Sequence, residues 1–239
     1  MRPVKKSPWP QDNGGTKIYN PHSIAKTDLE QNLDYFCSYC EVYSSDLEVE
    51  HIISQDQDST LVHNWNNFLL ACGRCNGRDN KTNKPVNLTV THFPHINNTY
   101  ISFTYKEGGY VAVNPALSGK SLANATNMLD LVGLDKIPGN PKYPNLKPND
   151  TRWRHRRTAW EWAKNLLVKF EAGDLTAQQI VDFAQQRGFF SVWFTVYRAH
   201  SSVKQLLIQT FAGTAQNCFD AANDYEPIFR NPQIVADPI

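Results

Sequence analysis

The residues whose types and spacing most directly imply chemistry are four cysteines in two matched pairs. Cys37-x-x-Cys40 and Cys72-x-x-Cys75 are separated by 31 residues. A C-x-x-C turn presents two thiolates from one tight loop, and two such turns complete a tetrahedral Zn²⁺ site. Four thiolates leave no open coordination position, so the zinc is structural and its binding stabilises the fold directly. The alternatives are four unrelated buried thiols or a redox pair, but two matched pairs are far more specific than one. The long gap implies a folded insert between the two halves of the knuckle. A fifth cysteine, Cys218, lies in an apolar helical pattern and reads as a core residue.

That insert concentrates polar chemistry. It carries Glu48-Val-Glu50-His51, then Asn64-Trp-Asn-Asn67-Phe-Leu-Leu. Directly after the last cysteine come Asn76, Arg78, Asp79, Asn80, Lys81 and Lys84. An E-x-E-H run taken alone is commonly just a solvated strand face. His63 likewise reads as a loop histidine.

Taken together, residues 37–84 resemble the HNH (ββα-metal) endonuclease family. Its pattern is an acidic-His-apolar strand, a central Asn, and a C-x-x-C followed by His or Asn and a Lys. The resemblance implies hydrolysis of phosphodiester bonds with His51, Asn67 and Asn76 as the catalytic set. His51 would be the general base, since imidazole titrates near neutral pH. Glu50 and Asn76 would hold a catalytic Mg²⁺ or Mn²⁺, a hard ion that takes few protein oxygens and keeps several waters. Asn67 would pin the loop and orient the histidine. Two positions depart from the commoner pattern: Glu50 stands where Asp is usual, and Asn76 where His is usual. The Asn makes a catalytic Zn²⁺ or Ni²⁺ less favourable.

These residues need elements to position them. The run 41–53, with Ser44-Ser-Asp46 as a turn, predicts a β-hairpin. Glu50 and His51 then point to opposite strand faces, so both reach one site only if the strand ends or twists there. Glu48 shares the face of Glu50 and is a reserve ligand. A helix starting after Cys75 would align Asn76, Asp79 and Asn80 on one face, where Asp79 or Asn80 could complete the metal shell. Arg74, Arg78, Lys81 and Lys84 form a basic cluster beside that site, readable either as phosphate contacts or as a solvated face.

Around this unit, residues 1–36 read as a Pro/Asn/Gly-rich arm with a short helix over 24–36, and 37–90 as the nuclease module. Residues 91–148, rich in Asn and Pro, read as an irregular linker with strands at 100–105 and 110–113 about a Gly108-Gly109 turn. Residues 149–239 read as a helical lobe, with segments from 151 to Gly173 and over 176–187, 190–200, 202–212 and 214–222. The fold class is therefore α+β. The run Arg152-Trp-Arg-His-Arg-Arg157 either binds a phosphate backbone or has its tryptophans in the core and its arginines on acids such as Glu161 and Glu171.

Charged residues make up 20% of the 239 and the net charge is +1, so nucleic-acid contact must come from local clusters rather than a global field. No apolar run is long enough for a membrane span and no signal-peptide pattern opens the chain, which points to the cytoplasm. The whole-chain layout is also similar to the HNH subunits of Septu-type anti-phage systems, including those associated with retrons. That likeness implies an ABC-like ATPase partner and a nucleic-acid substrate, DNA by default. Competing readings are an RNA nuclease and a non-catalytic zinc-knuckle binding module.

Overall fold

A computed structural model describes residues 1–77, 80–82, 84–146 and 148–230. The chain opens with a two-residue ribbon, β1 (Gln11–Asp12) and β2 (Gly15–Thr16), followed by helix α1 (Ala25–Leu33). Ala25, Leu29 and Leu33 recur at four-residue steps, and all three are buried as one apolar stripe. This helix packs on the sheet that carries the site.

That sheet is β3 (Leu47–His51) paired antiparallel with β4 (Phe68–Cys72). The register runs from Leu47 opposite Cys72 to His51 opposite Phe68. The hairpin expected within 41–53 does not form. Val42 and Tyr43 make isolated bridges to Gly188 and Phe36, while β3 reaches across a sixteen-residue connection to β4. The reason is burial. Phe68, Leu69, Leu70 and Ala71 are fully buried and form a strand that needs a partner on its hydrogen-bonding edge. Burying each such leucine is worth about 1.5–3 kcal/mol, enough to override a local turn preference.

After β4 comes a single helical turn, α2 (Gly73–Asn76), which ends at Gly77. The longer helix expected after Cys75 is absent among the described residues, so no face aligns Asn76 with Asn80. Asp79 and Arg78 lie outside the described residues.

The stretch read as an irregular linker contains more order than its composition suggested. Another short turn, α3 (Thr99–Ser102), leads into β5 (Phe103–Lys106) and β6 (Tyr110–Val113), paired antiparallel as expected. Helix α4 (Gly119–Val132) follows and was not anticipated. Its C-cap, Gly133, sits at φ 59°, ψ 49°, the left-handed conformation that favours glycine. A Cβ there would also lie 2.6 Å from Asn80 Oδ1.

The C-terminal part is helical: α5 (Arg152–Glu171), α6 (Ala177–Arg187), α7 (Phe190–Val196) and α8 (Ser201–Thr210). Thr176 and Gln179 form a reciprocal capping box at the start of α6. The helix expected over 214–222 is instead a 3₁₀ turn, Gln216–Cys218, and the strand β7 (Phe219–Asp220), which pairs with β8 (Glu226–Pro227). Cys218 is buried there, within the helical core as expected. One core cluster joins α1, β3, β4 and the knuckle to α4 and Ala159 of α5; a second fills the helical part.

Candidate active site and metal centre

The first cysteine pair sits in a turn tied to the sheet. The Ser38 amide donates to the Leu70 carbonyl at 2.8 Å, and the Glu41 amide to Cys37 O at 2.9 Å. The second pair brackets the start of α2, so β4 delivers Cys72 and the helical turn delivers Cys75. All four Sγ atoms lie within 4.8 Å of one another, and Cys40 and Cys72 are 3.6 Å apart. A tetrahedron with Zn–S bonds of about 2.3 Å has edges of about 3.8 Å, whereas a disulfide needs about 2.05 Å. The four cysteines are free thiols, three of them fully buried. Their number, spacing and softness fit a closed zinc site.

A buried cation completes this knuckle, and sequence reasoning missed it. Arg152 Nη1 lies 3.3 Å from Cys75 Sγ and donates to Val132 O at 2.7 Å. Its Nη2 donates to Gly133 O at 2.9 Å and to the Asp150 carboxylate at 2.7 Å. The buried stripe of α5 is Arg152, Arg156, Ala159, Ala163 and Leu166, so two arginines of the basic run point inward. Arg156 donates to Gly109 O and Leu134 O. Arg157 pairs with Glu161 at the surface, as one of the two readings had it, whereas Glu171 pairs with His200.

Next to the knuckle, β3 and α2 line an open cleft of about 630 Å³. Glu48, Glu50, His51, Asn76 and Lys81 all border it, and His22 closes one side. The facing problem posed by adjacent Glu50 and His51 is resolved because β3 ends at His51 and the chain bends there. The Ile52 amide donates to Asn67 O at 2.8 Å. Asn67 is fully buried. Its side-chain oxygen accepts from Ile53 N at 2.8 Å, and its amide donates to Ile53 O and Leu61 O at 3.0 and 3.2 Å. It therefore closes the loop that supplies Val62.

The Val62 carbonyl lies 3.0 Å from His51 Nε2. A carbonyl can only accept, so Nε2 carries the proton and Nδ1 keeps its lone pair. That nitrogen faces the Gln55 side-chain amide at 3.4 Å. Burial holds the His51 imidazole below its usual pKa; the Val62 carbonyl opposes this, and the nearby His22, Lys81 and His63 add to it. The His22 ring stands edge-on to His51, with centroids 4.6 Å apart. These features favour a neutral imidazole whose Nδ1 lone pair meets only the long Gln55 contact, the form a general base requires once water displaces that amide. Nothing in the sequence marked His22, which sits in an aperiodic arm. His63 is a loop histidine whose Nδ1 donates to Tyr19 O at 2.7 Å.

Glu50 is 1% exposed. Its Oε1 accepts from Lys81 Nζ at 2.6 Å and from Tyr39 OH at 3.0 Å. Its pKa is raised on balance: burial, and to a smaller extent Glu48, push it up, and Lys81 and Tyr39 only partly oppose them. Glu48, the more exposed carboxylate, accepts from Asn76 Nδ2 at 3.0 Å. That leaves Glu50 Oε2 and Asn76 Oδ1 as cleft oxygens with no hydrogen-bond partner among the described residues. Two hard oxygens beside open solvent suit Mg²⁺ or Mn²⁺ in donor chemistry. Among the described residues, only the four thiols are His, Cys, Asp or Glu ligands already converged within 4.8 Å.

The expected basic cluster is dispersed. Lys81 is 3% exposed and bonds Glu50 and, at 2.6 Å, His51 O, so it is an internal counter-ion rather than a surface phosphate contact. Lys84 is half-buried and donates to Asp130 O and Leu131 O, the carbonyl end of α4, at 3.2 Å each. Asn80 also turns away from the cleft. It donates to Arg74 O at 2.5 Å and accepts from Lys136 at 2.7 Å. Of the three described members, Arg74 alone is exposed.

The comparisons with known proteins agree with this layout. A family model described as HNH endonuclease matches residues 37–82. The Septu protein PtuB of Bacillus thuringiensis is 36% identical over 137 residues, covering 52% of this chain and 47% of that protein. The chain thus matches about half the length of this relative. No helix among the described residues is long and apolar enough to cross a membrane.

Proposed function

Starting from the HNH endonuclease domain of residues 37–82, we propose that this chain hydrolyses phosphodiester bonds of DNA in a metal-dependent reaction, as the nuclease of an anti-phage defence system. The observation that carries the reading is one cleft bordered by a neutral, oriented His51, two carboxylates and Asn76, built directly on the four-cysteine knuckle.

Glu50 and Asn76 would hold the catalytic Mg²⁺ or Mn²⁺, which supplies charge stabilisation at the phosphate and the leaving oxygen. His51 accepts a proton from the attacking water at Nδ1, the nitrogen left free by the Val62 carbonyl. Val62 then stabilises the imidazolium through Nε2. Asn67 holds the loop that carries Val62. Lys81 and Tyr39 keep Glu50 in place and favour its ionised form. Cys37, Cys40, Cys72 and Cys75 would hold a structural Zn²⁺, which would tie β4 to α2 and so position Asn76 relative to β3.

The protein's charge is nearly balanced, and of the described cations expected to bind phosphate Lys81 is internal and Lys84 half-buried, leaving Arg74 exposed. Delivery of substrate by a partner follows naturally, and an ABC-like ATPase is the partner implied by the likeness to Septu systems. A cytoplasmic location fits reduced thiols on zinc. The test is cleavage of matched DNA and RNA substrates with Mg²⁺, Mn²⁺ or EDTA, with and without the partner ATPase. DNA cleavage that requires the divalent ion supports the reading. Cleavage of RNA alone overturns the substrate, and cleavage undiminished by EDTA overturns the metal.

A further inference from the structure

The helical turn α2 has two sides. Asn76 faces the cleft, while Gly73, Arg74 and Gly77 form one wall of a second cavity of about 370 Å³. The opposite wall comes from the segment between α4 and α5, with Tyr143, Pro144, Asn145, Leu146 and Asn149. This volume falls within the range of small-ligand sites.

Its chemistry is divided in a specific way. Pro144 and Leu146 give an apolar side; the Tyr143 ring beside them already carries the Lys136 and Lys142 ammonium groups, 5.5 and 5.3 Å from its centroid, and its hydroxyl is fixed by Asp135 at 2.8 Å. The side-chain amides of Asn145 and Asn149 line the cavity, are exposed and engage no other described residue. Arg74 is exposed at the rim, and Lys136 also lines the cavity through its bond to Asn80. The carboxylate on the wall, Asp150, is already taken by Arg152 at 2.7 Å. What remains is an apolar surface for a flat ring, amides able to read a base edge, and a guanidinium for phosphate. These are the elements with which proteins hold an unstacked nucleotide.

The location supplies the second half of the argument. Arg74 and Asn76 are two residues apart on one turn, one bordering each chamber. A strand bound with its phosphate at Asn76 and His51 would have Arg74, on the same turn, as the next cation for its neighbouring nucleotide. A base stacked and paired in a duplex cannot enter a cavity, so a base that enters must be unpaired or everted.

We propose that this cavity is a nucleotide subsite that holds one unpaired nucleotide next to the scissile phosphate, with the base against Pro144 and Leu146 and the phosphate on Arg74. The adjacency to a scissile bond rests on the nuclease reading; the binding of a nucleotide does not. The substrate class is then nucleic acid with an unpaired nucleotide beside the cleavage point, such as a gap, flap or everted base.

The test titrates 5′-mononucleotides calorimetrically into the full zinc-loaded chain with no second divalent ion, against inorganic phosphate as control. One saturable site is expected. Losing an apolar base contact should weaken it about tenfold in Leu146→Glu and less in the milder Leu146→Ala. Phosphate alone should bind about tenfold more weakly than the nucleotide. Absence of saturable binding, or binding unchanged in both Leu146 variants, overturns the subsite. In a second arm, a duplex carrying a single-stranded gap should be cleaved about tenfold faster than its fully paired counterpart, a preference lost in Leu146→Glu. Cleavage with no such preference overturns the subsite and leaves the nuclease reading standing. Leu146-dependent nucleotide binding without cleavage of any substrate, with the partner ATPase present as well as absent, supports the subsite and overturns the nuclease reading.

Discussion

Replacing Lys81 by methionine tests whether the cleft is built around a buried ion pair. Lys81 Nζ lies 2.6 Å from Glu50 Oε1, with the two side chains 3% and 2% exposed. At an effective dielectric constant of 20, that separation corresponds to a Coulomb energy of about 6 kcal/mol before desolvation is counted. Desolvation offsets much of this in the intact pair. Removing one partner is different, because Glu50 is left as an uncompensated buried charge at a cost of about 3–5 kcal/mol. For a chain of 239 residues, unfolding entropy of about 2.1 cal/mol/K per residue converts this to a fall in Tm of roughly 6–10 °C. Lys81→Met paired with Glu50→Gln should recover most of that loss. The assay is thermal unfolding of the zinc-loaded protein, with nucleic-acid affinity and its salt slope measured on the same samples. A Tm unchanged within about 1 °C, with affinity and salt slope both reduced, would refute the reasoning and return Lys81 to the surface as a phosphate contact.

Three further outcomes follow from the same structure. Removing zinc with a chelator should unfold the cleft, and Arg152→Gln should speed zinc release because it removes the Cys75 N–H···S contact, as read by a colorimetric zinc indicator; an unchanged release rate would remove Arg152 from the knuckle. His95 is buried, neither ring nitrogen has a hydrogen-bond partner among the described residues, and burial holds its pKa well below 6.5. The unfolded state therefore binds one more proton, so stability falls by about 1.4 kcal/mol per unit as pH drops below about 6.5. His95→Phe should flatten that slope in denaturant titrations, and an undiminished slope would assign it elsewhere. Asn67→Ala should cost about 3 kcal/mol or more by leaving three backbone groups of Ile53 and Leu61 without their partner, and urea unfolding measures it directly.

Much of the site was legible because its residues act through identity and short spacing. The two C-x-x-C pairs converge, and Glu50, His51 and Asn76 border one cleft. What sequence could not give was pairing across distance. Nothing local tells Leu47–His51 to choose Phe68–Cys72 over the nearer Val42 and Tyr43, since the choice is made by burial of β4. The same limit hid the inward arginines. A basic run reads as a surface, yet Arg152 and Arg156 occupy the apolar stripe of α5 because carbonyls of Gly109, Val132, Gly133 and Leu134 await them there. Lys81 was misplaced for the same reason: its counter-ion is 31 residues away in sequence. His22 and α4 sit in Asn- and Pro-rich stretches whose composition masked them.

The most direct test of the central claim is nuclease activity of wild type and His51→Ala, with Mg²⁺, Mn²⁺ or EDTA and zinc content determined on the same samples. The account predicts divalent-dependent cleavage that falls about 10²–10⁴-fold in the variant, with close to one zinc per chain in both proteins. Cleavage that persists undiminished in zinc-loaded His51→Ala would contradict it.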